Sequence, residues 1–102
     1  MLENSIWSEF HADKTIRETL AGLLGRDIES VGGSEKELYA VLKRHLTKKE
    51  LRLFIMNEAG MDDTAIQGKT GIEAAAYEKA KRRVYSKIRS KKISDEIRLI
   101  GS

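Results

Sequence analysis

The stretch EAGMDDTAIQGKTGIEAAAYEKAKRRVYSKIRSKK, residues 58–92, decides how the chain is read. Gly60 and Gly71 bracket a short segment, and the second glycine opens onto a long cationic one. Glycine closes a helix at little cost because it enters the left-handed region freely. The pattern predicts a helix ending near Glu58 and Ala59, a short helix over about 64–69 capped by Asp62 or Asp63, and a long helix from Glu73 to Arg89. At about 100° per residue, Tyr77, Ala80, Val84 and Ile88 share one stripe of the long helix. Ala75, Lys79, Arg82 and Ser86 form the opposite stripe, flanked by Glu78, Arg83, Arg89 and Ser90. The first stripe is expected to pack on the body. The second is small at its N-terminal end and cationic beyond.

Upstream, Ser34-x-x-Glu37 and Thr47-x-x-Glu50 both fit the capping box, in which the hydroxyl accepts from the third amide and the glutamate reaches back. Each precedes an apolar stripe: Leu38, Val41 and Leu42 in one helix, Leu51, Phe54 and Ile55 in the next. Farther toward the N-terminus, Ile16, Leu20, Leu23 and Leu24 mark a helix stopped by Gly25, and Leu2, Ile6, Trp7 and Phe10 a weaker amphipathic turn. GRDIESVGGS reads as a linker. Past the basic helix, Ser94 is expected to cap a last short helix carrying Ile97, Leu99 and Ile100. The expectation is an all-α domain of five or six helices containing a helix-turn-helix. It divides into an N-terminal helical arm and linker, 1–33, and a helix-turn-helix domain, 34–102.

The totals agree with this. The chain has 102 residues, enough for one core, with 40% apolar and 34% charged side chains and no proline. Without cysteine, disulfides, zinc ribbons and thiol nucleophiles are excluded. MLENSIWSEF has neither a basic nor an apolar leader region, and no apolar run approaches the ~20 residues of a membrane span. A cytoplasmic protein without membrane contact is expected. His11 and His45 stand alone, Asp62 and Asp63 are explained as caps, and GKTG lacks the spacing of a phosphate loop. No nucleophile has a general base beside it, so neither an enzyme nor a cofactor is implied.

Charge is unevenly spread. Residues 1–33 carry three basic and six acidic side chains, and residues 34–102 carry sixteen and ten. Eight cations and no acid lie between Lys79 and Lys92: Lys79, Lys81, Arg82, Arg83, Lys87, Arg89, Lys91 and Lys92. Such a segment points to a polyanion partner. A helix with low-profile residues where it nears base edges and cations where it crosses phosphates suits a major groove.

LTKKELRLFIMNEAGMDDTAIQGKTGIEAAAYEKA, residues 46–80, resembles the C-terminal, promoter-reading domain of bacterial sigma factors, the fourth sigma region. Leu46, Thr47 and Glu50 match its Leu-Thr-x-x-Glu opening, and Gly60, Met61 and Asp62 match the spacing of its turn. Ile66 falls in the first motif helix, Gly71-Ile72 between the two, and Tyr77 at the anchor of the recognition helix. LuxR-type helix-turn-helix domains share much of the pattern, which spans about 46–90 here. The resemblance implies a transcriptional regulator that binds double-stranded DNA, with 73–83 at the reading positions. Lys79 and Arg82 are the expected base or phosphate contacts, alongside Ala75 and Glu78, with Arg83 and Lys87 on flanking phosphates and Lys48 and Lys49 on the adjacent backbone. Gln67, Gly68 and Thr70 depart from the family pattern, the last two weakening the short helix, so either the turn is distorted or Ala65 and Gly68 let the motif helices cross closely. The chain lacks room for the polymerase-binding, promoter-melting part of a complete sigma factor.

Trp7 and Phe10 admit three roles: capping the core, forming a homodimer through the arm, or docking on RNA polymerase or another regulator. Glu73 and Glu78 near the reading surface keep open a second reading, a helix-turn-helix-shaped adaptor that no longer binds DNA. An RNA-binding protein would expose aromatics for stacking, and the basic helix offers only Tyr77 and Tyr85.

Overall fold

The computed structural model describes residues 5–11 and 13–100, and the capping boxes set its punctuation. The described residues form seven α-helices and no strand: α1 (Ile6–Phe10), α2 (Ile16–Leu24), α3 (Glu35–His45), α4 (Lys48–Glu58), α5 (Asp63–Thr70), α6 (Ala74–Ile88) and α7 (Lys91–Ile100). The all-α expectation holds, with more helices than the five or six foreseen. Ser34 and Thr47 accept from the amides of Glu37 and Glu50 at 3.1 and 3.2 Å, and both glutamates return the bond at 2.9 Å. Thr15-x-x-Glu18 closes the same box on α2, a signature the sequence reading passed over.

α4 is the central strut. Leu51, Leu53, Phe54, Ile55 and Met56 are all buried, which is more than one face, because helices cover it on two sides. The larger cluster joins Phe54, Leu51 and Ile55 to Trp7, Ile16, Leu20, Leu38, Leu42, Val84, Ile88, Ile93 and Ile97. The smaller joins Leu53 and Met56 to Ile66 of α5 and Tyr77 of α6. Burying a side chain of this size contributes about 1.5–3 kcal/mol, so α4 is where folding free energy concentrates.

The described residues before Ser34 are stitched into this core. Trp7 is buried, donates from Nε1 to the Lys14 carbonyl at 3.0 Å, and stacks on His11 at 3.9 Å between centroids. His11 Nε2 lies 3.0 Å from the Ile55 carbonyl. The Glu35 carboxylate, at the start of α3, accepts from the amides of Ile16 and Arg17 at 2.7 and 3.0 Å, and Arg17 donates to the Gly33 carbonyl. The expected linker holds a 3-10 turn, Ile28–Ser30, followed by buried Val31. Trp7 thus takes the core-capping role, and Phe10 packs half-buried against both clusters. Leu2, expected beside them, lies outside the described residues.

Three local expectations are corrected. Asp62 occupies the N-cap position of α5 without a side-chain bond, and Asp63 turns instead toward α6. Ser94 lies inside α7, which already begins at Lys91 because Ile93 and Ile97 both reach the core. Ala65 and Gly68 are exposed, and a Cβ on Gly68 would meet nothing within 4 Å. α5 packs through Ile66 and Thr70, so the small residues serve no close helix crossing.

Candidate nucleic-acid interface

α5 and α6 are joined by Gly71, Ile72 and Glu73. Gly71 takes φ 77°, the left-handed conformation that side-chain-bearing residues resist, and its amide closes α5 on the Gln67 carbonyl. Both helices pack on α4 and on each other. Along α6, Tyr77, Val84 and Ile88 are buried and Ala80 half-buried, as the periodicity required. Ala75, Lys79, Arg82 and Ser86 are all exposed on the opposite stripe, and so are Glu78, Arg83 and Arg89 beside it.

Three polar clamps hold this helix at its angle. Tyr77 Oη donates to Asp63 Oδ1 at 2.8 Å, and Lys81 Nζ lies 3.3 Å from the same oxygen. The Tyr77 bond, together with the Lys81 ammonium, holds the Asp63 carboxyl below its ordinary range. Burial and then that carboxylate push the Tyr77 phenol up to about 12. Farther along, Tyr85 Oη donates to Glu58 Oε2 at 2.5 Å and accepts from Asn57 Nδ2 at 2.7 Å. Burial, reinforced by Glu58, raises the Tyr85 phenol. Third, Lys87 Nζ lies 2.8 and 2.9 Å from the two carboxylate oxygens of Glu50. Burial works against the ionised Glu50, but Lys87 and the Thr47 amide outweigh it and depress its carboxyl.

Residues 85 and 87 point to opposite sides of a helix, about 200° apart, yet both reach α4, one at Glu58 and one at Glu50. α6 is therefore tied to both ends of α4, and its outer stripe is left exposed. A shallow concavity of about 730 Å³ runs along one flank, between Glu78 at one end and Arg89 at the other. Its wall is cationic. Lys81 and Arg89 sit 5.9 Å from the ring centres of Tyr77 and Tyr85, and Arg82 completes the edge.

The structure brings most of the sequence-derived candidates to one surface. Ala75, Glu78, Lys79, Arg82 and Arg83 share the outer face of α6, and none of the four charged ones has an ion-pair partner among the described residues. Lys48 and Lys49 are exposed at the start of α4, the end to which the Lys87–Glu50 contact brings the C-terminal turn of α6. Lys87 itself is the exception, since Glu50 neutralises it. Lys69 in the last turn of α5 and Lys91 and Lys92 at the start of α7 are further exposed cations. Lys91 and Lys92 belong to the cationic run already noted in the sequence, whereas Lys69 escaped attention because it lies on α5, off the long helix. The Tyr77–Asp63 clamp was missed for a different reason, as nothing in sequence spacing links residues fourteen apart on two helices.

No protein-family model, no curated protein and no solved structure matches this chain. Among the described residues there is no group of three or more His, Asp or Glu side chains able to hold a metal. No helix among them is long and apolar enough to cross a membrane.

Proposed function

We propose that the chain is a DNA-binding transcriptional regulator whose α5, turn and α6 act as a sigma-like helix-turn-helix, with α6 in the major groove. One observation carries the reading. The buried stripe of α6 locks it to α4, and the opposite stripe offers small residues first and unpaired cations after them. A helix about 10–12 Å across fits a major groove about 12 Å wide only when its outer face is bare. Lys79, Arg82 and Arg83 approach the duplex there, and Lys48 and Lys49 supply phosphate contacts beyond the C-terminal end of α6.

The mechanism is electrostatic docking followed by reading from the N-terminal half of α6. Four or five phosphate contacts, at about −0.9 each, give a slope of log affinity against log salt near −4. Fluorescence anisotropy with labelled duplex measures it, and a slope near zero rejects the groove reading. In random-sequence selection, Lys79→Ala/Arg82→Ala abolishes any motif the wild type recovers. A protein that binds no duplex but copurifies stoichiometrically with polymerase or another regulator is an adaptor, the reading that Glu73 and Glu78 on the exposed face favour.

A further inference from the structure

Glu78 is the one acid within α6, and it lies beside the outer stripe. It is exposed, flanked by Lys79 and Arg82, and no hydrogen bond or ion pair holds it among the described residues. Glu73, at the N-cap of α6, is exposed without a side-chain cap bond, whereas the acids packed behind the helix have partners: Asp63 holds Tyr77, Glu58 holds Tyr85, and Glu50 holds Lys87. A carboxylate facing a duplex is repelled by the phosphates, and an ionised carboxylate only accepts hydrogen bonds. The repulsion is offset only where an amino group lies opposite.

The major groove presents two such donors, the exocyclic amines of cytosine and adenine. Adenine sets its N7 acceptor beside the amine and so repels a carboxylate, whereas cytosine presents its amine without that neighbour. Arg82 stands one helical turn beyond Glu78, a spacing that lets the guanidinium take a guanine O6 and N7 of the same or the adjacent pair.

Resting on the reading of α6 as the groove-entering helix, we propose that Glu78 is a specificity-determining residue that selects a C·G pair through the cytosine amine. Glu78 makes the surface a sequence reader, because the same face without it binds any duplex more tightly.

Random-sequence duplex selection with wild type, Glu78→Gln and Glu78→Ala tests this. Both replacements are good helix formers at an exposed position, so far-UV circular dichroism is expected to stay unchanged. The wild type recovers a motif with cytosine fixed at one position. The Gln variant moves that position toward adenine, whose N6 and N7 match an amide, and the Ala variant relaxes it by on the order of tenfold. Binding of both variants to motif-free duplex tightens. A wild-type motif that Glu78→Gln leaves unchanged overturns the role of Glu78 and leaves the groove reading standing. Salt-dependent binding without any motif does the same, and absence of duplex binding overturns both.

Discussion

Lys87 and Glu50 form a two-point contact, 2.8 and 2.9 Å, between the last turn of α6 and the residue that also closes the capping box of α4. One carboxylate therefore fixes both where α4 starts and how α6 lies across it. The Lys87 ammonium, expected on a phosphate, is instead held in the protein. Replacing Lys87 by Gln is expected to lower stability by no more than about 1 kcal/mol, since the pair is partly solvated. The same change is expected to leave the salt slope of duplex binding almost unaltered, whereas Arg83→Gln lowers its magnitude by about 0.9. Urea unfolding and a salt series on the two variants check both halves.

The same pair has a pH signature. The Glu50 carboxyl is depressed below 4.5 in the folded protein, so its contribution is full above that value. It falls away as pH drops through the lower folded value. The stability gap between wild type and Glu50→Gln is expected to be constant near neutrality and to close progressively below pH about 4.5. Urea midpoints measured at several pH values test it, and a gap that widens in acid would contradict the assigned clamp.

Tyr77 joins α5 to α6 with a buried ring and a bonded hydroxyl. Tyr77→Phe keeps the ring and loses the bond to Asp63, at an expected cost of about 1 kcal/mol. Because burial and Asp63 raise the phenol to about 12, this contribution is present below pH 10 and is lost as pH climbs through the folded value. Absorbance titration near 295 nm of wild type against Tyr77→Phe isolates the late-titrating phenol.

Two glycines predict opposite signs. Gly68 lies within α5, is exposed, and has open space where a Cβ would stand, so Gly68→Ala is expected to stabilise by about 1 kcal/mol. Gly33 has φ 84°, and a Cβ there would collide with the Ile100 side chain of α7. Gly33→Ala is expected to destabilise by more than 1 kcal/mol, roughly, through strain and displacement of α7. Thermal unfolding of the two single variants gives both signs.

Trp7 is the chain's one tryptophan and is 3% exposed, packed 6.2 Å from Phe54 between ring centres. If residues before Ser34 share one core with the rest, tryptophan fluorescence and helical circular dichroism lose their signals at the same urea concentration. Trp7→Ala is expected to cost about 3–5 kcal/mol. A fluorescence transition preceding the helical one would mark a separable arm.

How much of this was legible in the sequence follows from the range of each force. Capping boxes act over three residues, the left-handed glycines act on themselves, and the apolar stripe of α6 repeats every turn. Ser34, Thr47, Gly25, Gly60, Gly71 and the Tyr77–Val84–Ile88 stripe were accordingly readable one helix at a time. The start of α7 was misplaced because Ser94 is a plausible cap, and only the depth of Ile93 in the core, a packing matter, moves the helix start back to Lys91. For the same reason no local pattern announced that Glu35 of α3 caps α2 across a gap of eighteen and nineteen residues.

For the candidate interface, the sequence determined which residues share the outer face of α6, because 3.6-residue periodicity alone sorts Lys79 and Arg82 from Tyr77 and Val84. Tertiary structure decided which cations are available. Lys87 and Lys81 find carboxylates on α4 and α5, while Lys79, Arg82 and Arg83 find none among the described residues. A charge is neutralised by whatever lies within about 4 Å of it, and that neighbour is set by the crossing of helices.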